Sequence, residues 1–197
     1  IACSTLFAPS SIAGEGEKQK GFYFNLGAGY GQLLDIPIPH AQNGGRIKHD
    51  SGFSGDVGVG YDFGSIRTEL GYNTVSSEVS TIQNKSSTME AEFSTIQFTT
   101  FYDFRANKKW QPYVGAGIGS TEVNVKSSYT AAPLSLSSGK DTITSGVLKG
   151  GVTYNMSERI DVYGEAWWNI YDVFIIEGNS YIDAAMGGTT LGARIKF

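Results

Sequence analysis

Apolar and polar residues alternate along this chain. In residues 21–32, Phe22, Phe24, Leu26, Ala28 and Tyr30 fall on one side of an extended segment, and Tyr23, Asn25, Gly27, Gly29 and Gly31 on the other. A strand has a period of two, so such a segment is a ribbon with one greasy and one polar face. The pattern recurs in residues 52–63, where Phe53, Val57, Val59, Tyr61 and Phe63 oppose Ser54, Asp56, Gly58, Gly60 and Asp62. It returns over 65–75, 94–104, 111–125, 143–155, 160–171 and 189–197, giving eight predicted strands.

The connections between these ribbons alternate in length. Residues 33–50, 76–89, 126–141 and 172–188 are long, whereas Phe63-Gly64, Arg105 to Lys109 and Met156-Ser157-Glu158 are short. A two-residue turn at Phe63-Gly64 would set Gly60 opposite Arg67, Gly58 opposite Glu69 and Asp56 opposite Gly71. A symmetric turn at Met156 to Glu158 would set Lys149 opposite Glu165 and Gly151 opposite Tyr163.

Charge decides which face is inside. The apolar faces of the eight ribbons carry no Asp, Glu, Lys or Arg, while the polar faces carry Asp56, Arg67, Glu69, Lys149, Glu165 and Arg194. A soluble barrel would put its apolar face inward. Ribbons of about 10–12 residues with an apolar exterior and a polar interior fit strands that cross a bilayer at a tilt. The fold class predicted is all-β, an eight-stranded antiparallel up-and-down transmembrane barrel. Closure would satisfy every backbone group in lipid, which an open sheet could not do.

Composition agrees with this class. The 197 residues include 26 Gly, 11 Tyr, 11 Phe and 3 Trp, and no run of about 18 apolar residues is present that could form a spanning helix. The net charge of −4 speaks against a nucleic-acid partner, and a single cysteine, Cys3, allows neither an internal disulfide framework nor a Cys-rich zinc site. Residues 1–13 are small and apolar and end in Ser11-Ile12-Ala13, the form of a secretory signal remnant with its cleavage site. Ile1-Ala2-Cys3 has the form of a lipoprotein box, but Ala13 offers the better site. Residues 14–20 would be a periplasmic segment and 21–197 the barrel domain.

Three stretches carry a family resemblance: Gly21-Phe22-Tyr23-Phe24-Asn25-Leu26-Gly27-Ala28-Gly29-Tyr30, Tyr102-Asp103-Phe104, and Gln111-Pro112-Tyr113-Val114-Gly115-Ala116-Gly117-Ile118-Gly119. With them the chain resembles the small eight-stranded outer-membrane barrels of Gram-negative bacteria, the OmpA-like and opacity-protein-like surface proteins. The resemblance implies a bacterial outer-membrane location, with outer-membrane lipid and lipopolysaccharide around the barrel. It implies that the short turns face the periplasm and the long loops the exterior. The last strand, ending in Phe197, is similar to the signal read by the barrel-assembly machinery. No peptidoglycan-binding domain is expected to follow the barrel, a departure from the full OmpA arrangement.

Six interior charges are the strongest constellation: Asp56, Arg67, Glu69, Lys149, Glu165 and Arg194. Three positive and three negative groups can lock the lumen with ion pairs, or can gate a narrow pore by exchanging partners. His40 and His49, both in the first long loop near Asp35 and Asp50, lack the spacing of a metal site, and neither lies on a predicted strand as a Ser-His-acid hydrolase would require. No catalytic residue, cofactor or metal is therefore expected. Outward Tyr30, Tyr61, Tyr72, Tyr102, Phe104, Tyr154 and Trp168 read as interfacial girdles. Arg105, Lys108 and Lys109 form a basic turn. In the fourth long loop Phe174 and Ile176 are greasy for a water-facing segment. Either they contact a host or cell-surface partner, or the last two strands extend and pack there. The reading is a surface protein of structural or interaction role, adhesin- or antigen-like, with a narrow porin-like channel for small solutes as the alternative. A lipocalin-like soluble carrier is disfavoured by the polar inner face.

Overall fold

The computed structural model describes residues 20–33, 51–82, 85–104, 108–127, 139–175 and 181–197, with side chains described except at 77–91, 125–127, 139–141, 172–175 and 181–184. The eight strands are β1 (Gly21–Leu33), β2 (Gly52–Asp62), β3 (Ile66–Ile82), β4 (Lys85–Asp103), β5 (Trp110–Ser127), β6 (Gly139–Asn155), β7 (Ile160–Ile175) and β8 (Tyr181–Lys196). Each pairs antiparallel with its sequence neighbours, and β1 pairs with β8 to close the barrel. Closure pairs each strand on both sides along the barrel wall, while β3 and β8 extend past their last partners on β2 and β1, Ser54 and Leu33. Residues 1–19, which hold the predicted signal remnant, its cleavage site and Cys3, lie outside the described residues, as do His40 and His49.

Two registers differ from those expected. Asp62, not Gly60, lies opposite Arg67, and Gly60 lies opposite Glu69. The turn is centred one residue later, on Gly64-Ser65, closed by the Phe63 N–H donating to the Ile66 carbonyl at 2.9 Å. Gly64 takes a φ of 116°, which a side-chain-bearing residue rarely adopts, and its N–H donates to Asp62 Oδ1 at 2.8 Å. Likewise Lys149 lies opposite Trp167 and Gly151 opposite Glu165, not Lys149 opposite Glu165. Here Ser157 Oγ accepts from the N–H groups of Arg159 and Ile160, at 3.3 and 3.0 Å, which widens the turn. In both hairpins the shift is two places, so every residue keeps its face.

The strands also run further than expected at the end opposite the short turns. Residues 76–89, read from sequence as a long loop, are almost wholly strand: β3 and β4 stay paired out to Ile82 and Lys85. β7 and β8 pair as far as Ile175 and Tyr181, so Phe174 is a strand residue opposite Ile182, and Ile176 lies outside the described residues.

Along the membrane zone the outward face is apolar. Phe22, Leu26, Tyr30, Phe53, Leu70, Ile118, Leu148 and Leu191 are exposed there. Edge-to-face aromatic pairs ring the short-turn end, with centroids 5.0 Å apart for Phe22–Tyr61, 5.0 Å for Tyr102–Phe104 and 4.8 Å for Trp110–Tyr154. Tyr30–Phe53, at 6.5 Å, stands at the other end. These are the two interfacial girdles of a spanning barrel.

Candidate functional site

The lumen is where this chain concentrates its polar chemistry. Asp56, Arg67, Glu69, Lys149, Glu165 and Arg194 are all buried inside, and so are Asp62, Asp103, Asp161 and Lys196. Among the described residues, the interior thus holds six acids and four bases. The four further charges share the inward parity of their strands. That parity was the signal available for including them.

Three layers follow one another along the strands. Nearest the short turns, Arg67 Nε donates to Asp103 Oδ2 at 2.7 Å. The Arg67 guanidinium is fully buried and lies 4.5 Å from the centroid of Phe101, 5.0 Å from Tyr113 and 5.8 Å from Tyr23. Arg194 lies 5.0 Å from Tyr23 and 5.3 Å from Tyr163, so the Tyr23 ring has a guanidinium on either flank. Asp161 Oδ2 is 3.7 Å from Arg194 Nη1 and 2.8 Å from Lys196 Nζ. Aromatic faces stabilise cations that have left water, which explains the ring of tyrosines and Phe101 here.

The middle layer is held by shared carboxylates. Lys149 Nζ lies 3.1 Å from Glu165 Oε1, and Glu165 Oε2 accepts from the Tyr113 hydroxyl at 2.9 Å. Glu69 accepts from Tyr23 at 3.0 Å. Asp56 Oδ2 accepts from Asn25 at 3.2 Å and from Tyr163 at 3.3 Å. The structure therefore brings Lys149 and Glu165 together diagonally, while Arg67 takes Asp103 and Arg194 takes Asp161. Glycines make room for the inward rings. A Cβ on Gly60 would meet Tyr23, on Gly115 Phe101, on Gly192 Tyr163, and on Gly188 Trp167. The gap bounded by Asp56, Asn73, Gln97, Lys149, Glu165, Trp167, Asn169 and Thr190 has no room for a water molecule.

The third layer reverses the polar character expected of the interior. Thr95, Thr121 and Ser145 share hydroxyl hydrogen bonds of 2.8 and 3.2 Å, and Trp167 Nε1 donates to Thr190 at 3.2 Å. Beyond them Val75, Phe93, Val123, Ile143, Trp167, Tyr171 and Met186 pack together across the lumen with Leu33 against them. This apolar plug corrects the expectation of a lumen filled by polar side chains throughout. Val75, Val123, Ile143, Trp167 and Tyr171 lie on predicted strands, most of them near the ends away from the short turns, whereas Met186 and Leu33 come from stretches that the sequence pattern assigned to loops.

A closed eight-stranded sheet with apolar girdled walls and a polar, filled interior is the architecture of an outer-membrane barrel. The model of the outer membrane protein beta-barrel domain matches residues 1–197. The chain belongs to this family. Among solved structures the barrel is similar to Neisserial surface protein A, at 20% identity and a TM-score of 0.65, covering 90% of this chain and 97% of that one. It is similar to OprG of Pseudomonas aeruginosa, at 16% identity and a TM-score of 0.60, covering 93% and 98%. It is also similar to Ail, the attachment invasion locus protein of Yersinia pestis, in complex with the heparin analogue sucrose octasulfate, at 15% identity and a TM-score of 0.52, covering 90% and 99%. These identities speak for the fold. Comparison with curated protein sequences finds no match. The barrel is an outer-membrane protein of bacteria. Among its described residues there is no group of three His, Cys, Asp or Glu side chains placed to hold a metal ion.

Proposed function

We propose that this barrel is a surface-exposed protein of structural or interaction role, without catalysis, whose closed wall carries its outer strands and loops to a partner. The observation that carries this reading is the filled lumen: an ion-paired aromatic layer, a dry polar layer and an apolar plug lie in series. The paired extensions of β3–β4 and β7–β8 are the natural platform for a host or cell-surface partner, with Phe174 and Ile176 the candidate contacts. Ail, solved with a heparin analogue, offers a precedent for binding on this fold. Outer-membrane lipid and lipopolysaccharide surround the wall, and Phe197 serves the barrel-assembly machinery as a C-terminal signal. Phe174→Ser with Ile176→Ser weakens partner binding and leaves the barrel folded; a variant that fails to fold makes these residues structural instead.

A narrow channel for small solutes is the second reading. It is favoured by the hydrophilic middle layer, where Lys149 has Glu165 as its partner and Asp56 lines the same gap. Single-channel recording of the refolded protein in a planar bilayer separates the two. Silence from inserted protein is the expected result. Reproducible conductance steps that change on Lys149 or Glu165 substitution would replace the first reading with the second.

A further inference from the structure

We propose that the short-turn rim at Lys108, Lys109, Trp110 and Tyr154 binds the phosphate of an anionic phospholipid from the surrounding leaflet. Lys20, Lys108, Lys109 and Arg159 are exposed at this end, and Glu158 is the exposed acid there among the described residues. Asp62, Asp103 and Asp161, the other acids of this end, are turned into the lumen and buried. The rim thus presents cations outward and keeps its carboxylates inside.

The backbone under these cations is fixed by the neighbouring hairpin. The Asn155 N–H donates to the Lys109 carbonyl at 2.9 Å, and Asn155 Nδ2 donates to the Lys108 carbonyl at 2.6 Å. Trp110 and Tyr154 face each other across β5 and β6 and form an edge-to-face pair that marks the lipid interface. Lys109 Nζ sits 5.2 Å from the Tyr154 ring centroid. Interaction with the Tyr154 side chain raises its pKa above the ordinary lysine value. Below the aromatic pair, Val114 and Val152 are exposed on the wall and offer an apolar track for acyl chains. An ammonium group over an aromatic pair at the headgroup level, with apolar wall beneath, matches the layering of a phospholipid: phosphate, glycerol, chain.

The test uses the full chain refolded into phosphatidylcholine bilayers containing phosphatidylglycerol, in a Trp168→Phe background. Trp168 is the other lipid-facing tryptophan and Trp167 is buried in the lumen, so quenching by brominated acyl chains then reports on Trp110. Bromine is placed on one lipid at a time. The expected result is preferential quenching by phosphatidylglycerol, an enrichment on the order of fivefold for each contributing cation, lost at high salt. Lys108→Gln with Lys109→Gln should abolish the preference, and Lys109→Arg should keep it. Lys108→Gln alone, which leaves the Lys109–Tyr154 contact intact, should reduce it if the double variant does not fold. Equal quenching by the two lipids in the parent, or an unchanged preference in the glutamine variants, overturns the proposal.

Discussion

Replacing Glu165 with alanine tests the middle layer of the lumen most directly. Glu165 is buried and holds two partners, Lys149 Nζ at 3.1 Å and the Tyr113 hydroxyl at 2.9 Å. Its removal leaves a buried ammonium without its carboxylate, which costs about 3–5 kcal/mol when no other group takes over. Asp56 lines the same gap and offsets part of that loss, whereas the orphaned Tyr113 hydroxyl adds about 1–3 kcal/mol. The expected destabilisation of Glu165→Ala is about 3–4 kcal/mol. Lys149→Met alone should cost a similar amount by stranding the carboxylate. The pair Lys149→Met with Glu165→Leu should lose less than the sum of the single changes, by about 2–3 kcal/mol, because neither charge is then left alone. The assay is urea unfolding in phosphatidylcholine vesicles, followed by tryptophan emission, with folding checked by gel mobility before and after heating. Single variants within about 0.5 kcal/mol of the parent, or strict additivity in the double variant, would refute the reasoning.

Two further outcomes follow from the wall and its glycines. Gly188→Ala places a Cβ against both the Trp167 ring and the Tyr30 carbonyl of the neighbouring strand, and backbone cannot step aside, so a loss of about 1–3 kcal/mol is expected in the same urea assay. Leu26, at the middle of the lipid-facing row of β1, should cost about 2–4 kcal/mol when replaced by arginine, whereas the same change in detergent-free soluble proteins with exposed leucines is nearly neutral. A tolerated Leu26→Arg would mean that this face does not meet lipid.

The membrane-spanning part of each strand was readable because lipid makes one face uniform. The row from Phe22 to Tyr30 keeps its outward parity in the structure, and the inward residues Asp161, Tyr163, Glu165, Trp167 and Asn169 of β7 are all buried. Parity alone cannot fix register. Register depends on turn geometry, and in both misread hairpins one side-chain oxygen, from Asp62 or Ser157, accepts backbone N–H groups and resets the turn. Pairing inside the lumen was legible only for Lys149 and Glu165. Asp103 and Asp161 became visible as partners of Arg67 and Arg194 once the strands were folded together, because each pair joins consecutive strands, β3–β4 and β7–β8, whose long connections leave the register open, whereas the short turn between β6 and β7 constrains it.

The apolar plug and the unrecognised strand extensions have one cause. Within lipid, strands show apolar side chains outward and polar ones inward. Past the upper girdle the outer surroundings become water, and the preference must reverse in the same strand. In β3 the inward row passes from Arg67, Glu69 and Asn73 to Val75, while exposed Ser76 follows outward. In β4 it passes from Gln97 and Thr95 to Phe93, beside exposed Glu92, and in β6 from Lys149 to Ile143, beside exposed Thr142. A scan for an apolar outward face therefore stops at the boundary, although the hydrogen-bonded ladder continues to Ile82 and Lys85. Above that boundary the barrel obeys the rules of a soluble one, with a small dry core of its own. That core rests on paired strands rather than on lipid.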